Sequence, residues 1–431
     1  MIDFLFVYEI KNREIETIIL LGEELKRRGY KVEYIHVLMQ RKLSRKEEIN
    51  TILKFNLKSG MNTIIEYSQL VKSFKHFVNL RFEQVFSNHA HKFADSLYPH
   101  DCVKGLFHLC WGRAQYNELV ERKITPDSLI MAGPIHMDFL RPAFSIFYKS
   151  KKELQEEYCL LENKSIFLFI ESGFLSRREA EGVVSRYPES RLVETHDDSL
   201  ETFSIILLWI EKYLQSFPDT YFIYRPHPGK VDDMDISELK KYENFREIKD
   251  YSIKQWILVS DIVATTTSTS IIEAYFAGKK CVVLRPKEIE NRDDSPIYHN
   301  CESIKTLEDF LKINTETGQS LDERVVKEFY DVDEKYPSFM RMCDALEKIY
   351  ADKRHIIDLD NLKIGKNRLT VKNWGVKWYI KNKMIALQSI TNISFGEKTD
   401  YMLKTLKTRK SYITSNDEIA LISNKIRKIL H

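Results

Sequence analysis

The segment RPHPGK, at the end of an apolar run, has the residue types and spacing of a binding or catalytic turn. Pro226 and Pro228 each fix φ and remove a backbone donor, so they hold His227 in a stiff turn. Arg225 and Lys230 add positive charge beside the histidine, and the arginine fork suits phosphate. Ligands of open parallel sheets bind at the carboxyl ends of strands. The segment therefore predicts hydrogen bonds to a phosphate or a leaving oxygen; the alternative is a structural turn.

Six consecutive hydroxyl residues, 265–270, separate a predicted strand from a predicted helix. The start of a helix has free N–H groups and the positive end of the helix dipole, so this run predicts a phosphate site. The residues expected to bind the donor here are Thr267, Ser268, Thr269 and Ser270. Glu273 lies about one turn into the helix, where it could cap the helix or hold a ribose hydroxyl. The alternative for the whole run is plain helix capping.

Two carboxylates and an arginine follow the first predicted strand. Glu9 or Glu14 could act as general base on an acceptor hydroxyl. Arg13 could neutralise such a carboxylate or bind an acidic acceptor. The alternative is a solvated helix start, in which first-turn acids favour the helix dipole.

Two more loops could line a cleft. The turn at 133–134 is followed by His136 and Asp138, and Glu171 and Ser172 follow the apolar run IFLFI. Either loop could also cross the cleft without a role in binding.

Strands and helices alternate along the chain in a way that can position these residues. The segment FLFVYEI predicts a strand, residues 14–28 predict a helix ended by Gly29, and KVEYIHVL predicts another strand. Such a βαβ unit predicts a parallel sheet. We also predict a helix over 44–59 and a second alternating series that starts near residue 164.

A chain of 431 residues is too long for one ordinary core. We predict an α/β protein of two Rossmann-like domains that face a cleft. The N-terminal domain is expected over 1–145, the C-terminal domain over 146–350, and a basic helical tail over 351–431.

Composition limits the classes of protein to which this chain can belong. Hydrophobic residues make up 43% and charged residues 30%, and no apolar run is long enough to span a membrane. The six cysteines form no CxxC pair, and the N-terminus does not resemble a signal peptide, so we expect reduced thiols and a cytoplasmic location. The sequence has no P-loop, GxGxxG or HExxH motif, and we expect no dinucleotide cofactor and no catalytic metal.

The tail is strongly basic. Residues 351–431 carry 17 Lys and Arg against 7 Asp and Glu, with Trp374 and Trp378 among the lysines. This pattern predicts either a surface that docks on anionic lipid or helices that pack their rings on the body. No nucleic-acid module accompanies the charge, so we expect no nucleic-acid partner.

The RPHP segment together with SDIVATTTSTSIIEAYFAGK resembles GT-B glycosyltransferases of bacterial surface polysaccharide biosynthesis. The pair is similar to segments of sialyltransferases, Kdo transferases and CDP-glycerol glycerophosphotransferases. The segment EIKNRE, the WG dipeptide at 111–112 and GPIHMD at 133–138 are similar to the surface carbohydrate biosynthesis proteins.

The resemblance implies a metal-independent transferase that moves a sugar from a CMP-, CDP- or UDP-linked donor to a glycan or lipid-linked acceptor. The donor would bind residues 146–350, with His227 and the 268–270 hydroxyls at its phosphate and Glu273 at its ribose. The acceptor would bind residues 1–145, with Glu9 or Glu14 as base. The resemblance also implies a peripheral location on the inner face of the membrane. Alternatives are a sugar-nucleotide epimerase of the same fold, a polyol-phosphate transferase, and a non-catalytic nucleotide-sugar-binding protein.

Overall fold

The computed structural model describes residues 1–55, 60–85, 105–173, 177–185, 187–228, 235–289, 294–298, 301–357, 380–381, 383–385 and 394–431. They form two compact units, each around its own parallel sheet. The first unit consists of Met1–Phe82, Ser96–Ile135 and Asp331–His431, and the second of Glu83–Asp95 and His136–Tyr330. The predicted α/β class with two Rossmann-like sheets is confirmed.

The first unit alternates strands and helices. Its elements are β1 (Ile2–Tyr8), α1 (Lys11–Arg27), β2 (Val32–His36), β3 (Glu48–Lys54), α2 (Gly60–Leu70), β4 (Ser73–Asn79), β5 (Leu106–Cys110), α3 (Arg113–Glu121) and β6 (Leu129–Met131). All strands are parallel, in the order β2-β1-β3-β4-β5-β6. Gly29 has φ +95° just beyond α1, as the predicted helix end requires.

The prediction of a helix over 44–59 is wrong, because β3 occupies the middle of that segment and pairs with β1 and β4. Its residues Ile49 to Leu53 are buried on both faces of the sheet. The β-branched residues Ile49, Thr51 and Ile52 favour a strand in such a position. Burial on both faces produces a run without alternation, which periodicity does not distinguish from a helix.

The second unit repeats the pattern. Its elements are α4 (Lys151–Glu157), β7 (Ser165–Ile170), α5 (Arg177–Val184), α6 (Leu192–Ser216), β8 (Thr220–Arg225), β9 (Phe245–Glu247), α7 (Ile253–Val259), β10 (Ile262–Thr265), α8 (Ile271–Phe276), β11 (Cys281–Leu284), β12 (Ser303–Ile304), α9 (Leu307–Leu311) and α10 (Glu323–Phe329). The strands are parallel, in the order β12-β11-β10-β7-β8-β9.

Aromatic side chains fill the core on one face of this second sheet. Phe167 of β7 stacks on Phe222 of β8 with ring centroids 4.8 Å apart, and Tyr213 of α6 packs edge-on against Phe167. Since successive residues of a strand point to opposite faces, the alternate residues Phe169 and Tyr224 extend the same layer. The layer fixes β7 beside β8 and so fixes the loops that follow them.

After residue 330 the chain returns to the first unit. Its helices there are α11 (Ser338–Ala351), α12 (Glu397–Ser411) and α13 (Asn416–Leu430). Arg28, at the end of α1, forms ion pairs of 2.7 Å with Asp344 and with Glu347 of α11. The compact units therefore differ from the predicted limits at 145 and 350, because α11 buries its apolar face against α1 rather than continuing the second unit. Trp374 and Trp378 lie outside the described residues.

Candidate functional site

The strand order of the second unit identifies one place for a ligand. From β7 the chain builds the sheet in one direction through β8 and β9, and then in the other through β10, β11 and β12. In open parallel sheets of this order, ligands bind outside the carboxyl ends of the strands where the direction changes. That place lies between β7 and β10. We call this side of the sheet its carboxyl edge.

The residues after β7 hold the imidazole turn. The Glu171 N–H donates to the Arg225 carbonyl at 3.0 Å, and the Glu171 carboxylate accepts the His227 N–H at 3.1 Å. Gly173 lies against the imidazole, since a Cβ at this glycine would come within 2.6 Å of His227 Nε2. The ends of β7 and β8 therefore form one assembly, and the glycine makes room for the ring.

The same loop holds the hydroxyl run. The Ser172 and Thr266 hydroxyls are hydrogen-bonded at 2.5 Å, and Ser172 Oγ accepts the Thr267 N–H at 2.8 Å. These bonds cross from β7 to β10, at the place where the strand order changes direction. The structure thus brings the imidazole turn and the hydroxyl run to one carboxyl edge, on either side of residues 171–173.

Part of the hydroxyl run serves the turn itself. Thr265 Oγ1 donates to the Ile170 carbonyl at 2.9 Å and accepts the Ser268 N–H at 3.3 Å. Ser268 Oγ accepts the Ser270 N–H at 3.3 Å. For Thr265 and Ser268, the alternative of local capping therefore describes what the hydroxyls do.

The other hydroxyls have no such use. In the described part of the chain, the side-chain hydroxyls of Thr267, Thr269 and Ser270 make no hydrogen bond. Thr269 is exposed, and Thr267 and Ser270 are half-buried. They are the hydroxyls of the run that a ligand could reach.

Glu273 is half-buried on α8, and among the described residues its carboxylate makes no ion pair and no hydrogen bond to another residue. Burial raises the pKa of this carboxyl, and the nearby Lys254 ammonium lowers it in part. Lys254 is a buried residue of α7 that the motif analysis missed. The signal for it was a cation inside the largely apolar segment IKQWILV.

Arg225 holds a neighbouring loop in this structure, and its role at a phosphate stays a prediction. Its guanidinium is buried, and it donates to the carbonyls of Ile248 at 3.1 Å, Asp250 and Tyr251. The fork that suits phosphate therefore holds the loop 248–251. Lys230 lies outside the described residues.

The segment after the turn at 133–134 is also structural in character. His136 and Asp138 lie in the 3-10 helix Ile135–Leu140, and both side chains are buried. The Arg141 guanidinium donates to the Asp138 carboxylate at 2.6 Å. The ion pair explains how Asp138 is buried as a charged group.

In the first unit, Glu14 caps α1. Its fully buried carboxylate accepts the N–H groups of Glu9 at 2.7 Å and Ile10 at 3.2 Å, and it pairs with Arg13 at 3.1 Å. Burial raises the pKa of Glu14 despite these partners. The alternative of a helix start thus accounts for Glu14 and Arg13, although this start is buried rather than solvated.

Glu9 stays accessible at the carboxyl edge of the first sheet. Its side chain is 28% exposed and pairs with Arg409 of α12 at 3.2 Å. The strand order of this sheet changes direction beside β1, so Glu9 lies at the equivalent place in the first unit. No sequence pattern indicates Arg409, because nothing in the spacing connects positions 400 residues apart.

No group of three or more metal-ligating side chains occurs among the residues that the structure describes. The cysteines in the described ranges, which exclude Cys102, are free thiols. Within the same ranges, no helix has both the length and the apolar character to cross a bilayer.

No family model matches the sequence, and no curated protein sequence matches it. Among solved structures, the chain is similar to the UDP-GlcNAc 2-epimerase of Methanocaldococcus jannaschii in complex with UDP-GlcNAc and UDP. This match has a TM-score of 0.51 and 10% identity, and it covers 81% of this chain and 100% of the epimerase.

Two further matches have lower scores. A variant of the wall teichoic acid polymerase TagF soaked with CDPG gives a TM-score of 0.49 at 11% identity, over 81% of this chain and 88% of that chain. The UDP-GlcNAc 2-epimerase of Neisseria meningitidis bound to UDP-GlcNAc gives 0.47 at 12% identity, over 81% and 100%. At such identities the likeness concerns the fold, and the chain has the two-sheet α/β fold of the GT-B class.

Proposed function

We propose that the protein binds a nucleotide-activated sugar at the carboxyl edge of the second sheet, between β7 and β10, and transfers the sugar to a glycan acceptor. The observation that carries the proposal is the bridge from Ser172 to Thr266 and Thr267, with His227 held beside the same loop. It sets an imidazole and unbonded hydroxyls around one strand-end position. This is where sheets of this order bind phosphate-containing ligands.

The proposed transfer requires one bond to form, one bond to break and one proton to move. The acceptor hydroxyl oxygen forms a bond to the anomeric carbon, and the bond from that carbon to the donor phosphate oxygen breaks. The leaving phosphate keeps the electron pair, and the imidazole of His227 with the hydroxyls of 267–270 would stabilise its charge. The acceptor proton passes to a base. Glu9 suits this task better than Glu14, whose carboxylate is buried and bonded to the start of α1.

Nucleotide binding is the first test. Wild-type protein is screened by thermal shift with CMP, CDP, UDP and GDP, and we expect one of them to raise the melting temperature. His227→Ala should weaken that shift and abolish nucleotide release from the matching sugar nucleotide in the presence of a glycan extract. The unliganded melting temperature should hardly change, because His227 is a half-buried turn residue.

The matched control is His431→Ala, at an exposed histidine of the C-terminus. It should release nucleotide at the wild-type rate. Full transfer activity in His227→Ala would remove the leaving-group role from this histidine.

A second candidate function is epimerisation of a sugar nucleotide, which the likeness to the Methanocaldococcus jannaschii epimerase favours. An epimerase needs no glycan acceptor. Incubation with the sugar nucleotide alone, followed by NMR of the sugar protons, separates the two. An isomeric sugar nucleotide would favour epimerisation, and tight binding without turnover in either assay would favour a non-catalytic binding protein.

A further inference from the structure

Tyr298 reaches the hydroxyl run from the loop that follows β11. Its side chain is buried, and its hydroxyl donates to the Ser268 carbonyl at 2.5 Å. The Ser268 N–H donates in turn to Thr265 Oγ1 at 3.3 Å. Both backbone groups of Ser268 are therefore held, one by the end of β10 and the other by a tyrosine 30 residues further along the chain.

A buried ion pair holds Tyr298 in this position. The Arg285 guanidinium, directly after β11, donates to both carboxylate oxygens of Asp294, at 2.9 Å and 2.7 Å. Its central carbon lies 4.8 Å from the centre of the Tyr298 ring, within the range of a cation–π contact. A bidentate pair fixes the orientation of both groups, so the tyrosine ring packs against a cation of fixed position.

The backbone around Tyr298 is fixed as well. Pro296 begins the 3-10 helix Pro296–Tyr298, and the Tyr298 N–H donates to the Ser295 carbonyl at 2.9 Å. The Ser295 N–H donates to the Asp294 carboxylate at 2.8 Å. The carboxylate that pairs with Arg285 therefore also sets the start of the helix that carries the tyrosine.

These contacts act on geometry more than on stability. A buried ion pair loses about as much free energy of hydration as its charges gain by attraction. Through Tyr298, however, this pair joins the loop after β11 to the turn after β10. Thr267 and Thr269, whose hydroxyls a ligand could reach, flank Ser268 in the chain. A shift of the Ser268 backbone would therefore move both of them.

We propose that Tyr298 is a positioning residue, held by the Arg285–Asp294 pair, that keeps Ser268 and its two flanking hydroxyls in the conformation that binds the donor phosphate. The inference rests on the proposed function, since it concerns the phosphate of that site. Tyr298 acts through the Ser268 carbonyl and needs no contact with the ligand.

A comparison of nucleotide with nucleoside tests the proposal, because the nucleoside lacks the phosphate. Competition titrations measure the affinities for CMP, CDP, UDP and GDP and for cytidine, uridine and guanosine. Tyr298→Phe should lower the affinity for the nucleotide that wild type binds by about threefold to tenfold, as the loss of one hydrogen bond predicts. The affinity for the matching nucleoside should stay unchanged. Asp294→Asn should lower the ratio of the two affinities as well, because it weakens the pair that holds the ring.

The control variant is Tyr213→Phe. Tyr213 of α6 is also buried in this unit, but its hydroxyl bonds to Thr220 at the start of β8, at the opposite end of the strands. Both variants lose one buried hydroxyl, so both should have a somewhat lower melting temperature. Only Tyr298→Phe should change the ratio of nucleotide affinity to nucleoside affinity, which a role in stability alone would not alter.

The outcomes separate the inference from the proposed function. If Tyr298→Phe folds and keeps the wild-type ratio, the positioning role is overturned while the proposed function stands. An equal loss of affinity for nucleotide and nucleoside overturns it too, since the effect would not concern the phosphate. If Tyr298→Phe does not fold, Asp294→Asn decides, and an unchanged ratio there overturns the inference. If wild-type protein binds none of the four nucleotides, the proposed function and the inference both fail.

Discussion

At the scale of single residues, the carboxyl edge of the second sheet contains two kinds of hydroxyl. Those of Thr265 and Ser268 complete the turn, and those of Thr267, Thr269 and Ser270 make no hydrogen bond among the described residues. A turn that needed capping alone would be complete with the first pair. The additional hydroxyls are the part of the run that suits a ligand.

Gly173 provides a direct test of where the imidazole must lie. In Gly173→Ala the new Cβ would come within 2.6 Å of His227 Nε2, so the ring must move. We expect nucleotide affinity to fall several-fold, with a small loss of stability because a side chain rather than the backbone gives way. Calorimetry of the nucleotide selected by the thermal-shift screen measures the effect.

The control for this glycine is Gly182→Ala. Gly182 lies in α5 with nothing within 4 Å of an added Cβ, so alanine should stabilise the helix by up to about 1 kcal/mol and leave binding unchanged. Equal affinity of Gly173→Ala and wild type would contradict a role for the imidazole in binding.

His108 of β5 predicts a pH dependence of stability in the first unit. Burial, together with the nearby Arg81 charge, lowers the pKa of His108 to about 4. The unfolded chain takes up this proton near pH 6.5, whereas the folded chain resists it. The buried, neutral His108 therefore contributes to the free energy of unfolding above pH 6.5. This contribution is lost as the pH falls toward 4, by about 3 kcal/mol in all.

Urea unfolding at pH 7 and pH 4.5 measures this loss. His108→Gln should flatten the dependence relative to wild type, while His431→Gln, at an exposed histidine, should not. The carboxylates that titrate in the same range are common to all three proteins, so the difference isolates His108. If the free energy of unfolding changed equally with pH in His108→Gln and in wild type, the imidazole of His108 would accept its proton as readily in the folded state as in the unfolded chain.

At the scale of elements, one arginine connects β8 to the loop before α7. The Arg225 guanidinium donates to three carbonyls within 248–251, and the Arg225 carbonyl accepts the Glu171 N–H. The residue thereby links the end of β8 to both β7 and the start of α7. This cation beside the imidazole turn therefore stabilises the backbone of the neighbouring loop.

Arg225→Lys tests that assignment. A lysine cannot reproduce the planar fork, so buried carbonyls lose their donors, and we expect a loss of about 2 kcal/mol or more in the free energy of unfolding. Hydrogen exchange should accelerate in residues 248–252. A chemical denaturation series gives the first quantity and exchange mass spectrometry the second.

The control here is Arg246→Lys. Arg246, on the neighbouring β9, also donates to backbone carbonyls, of Glu243 at 2.7 Å and Phe245 at 2.8 Å, but it is half-buried at the surface. Its substitution should cost well under 1 kcal/mol. If Arg225→Lys kept the stability of wild type but lost nucleotide affinity, the result would support binding of phosphate by Arg225.

At the scale of the whole molecule, the C-terminal helices complete the first unit. The Thr414 N–H donates to the Tyr8 hydroxyl at 3.0 Å, and Arg427 pairs with the buried Glu23 at 2.6 Å. Helices α12 and α13 are therefore an integral part of the unit that contains β1. Attraction of the basic 351–431 segment to an anionic membrane stays a prediction.

Two residues of α13 test this integration. Ile426 is fully buried and Leu421 is 61% exposed on the same helix. Ile426→Asp places a carboxylate in an apolar contact, so we expect a loss of several kcal/mol and a clearly lower melting temperature. Leu421→Asp should leave the melting temperature within about 2 °C of wild type. Equal melting temperatures for the two variants would mean that α13 is not part of the folded unit.

The amino-acid sequence by itself determined the local elements and the positions of candidate groups. Continuous apolar runs marked β1, β7 and β8, and the imidazole turn and hydroxyl run both fell at strand ends. These features depend on neighbours in the chain, so spacing and residue type report them. The strand β3 was missed for a related reason, because burial on both faces removes the periodicity.

Only the tertiary structure decided which of these groups meet and which are occupied. The strand order β10-β7-β8 places Ser172 between the hydroxyl run and the imidazole turn. The Arg225 guanidinium donates to the 248–251 carbonyls. The tertiary structure also brought Arg409 to Glu9 across the length of the chain. Strand pairing and ion pairing join residues far apart in sequence, and the free energy that selects them comes from packing that no local pattern records.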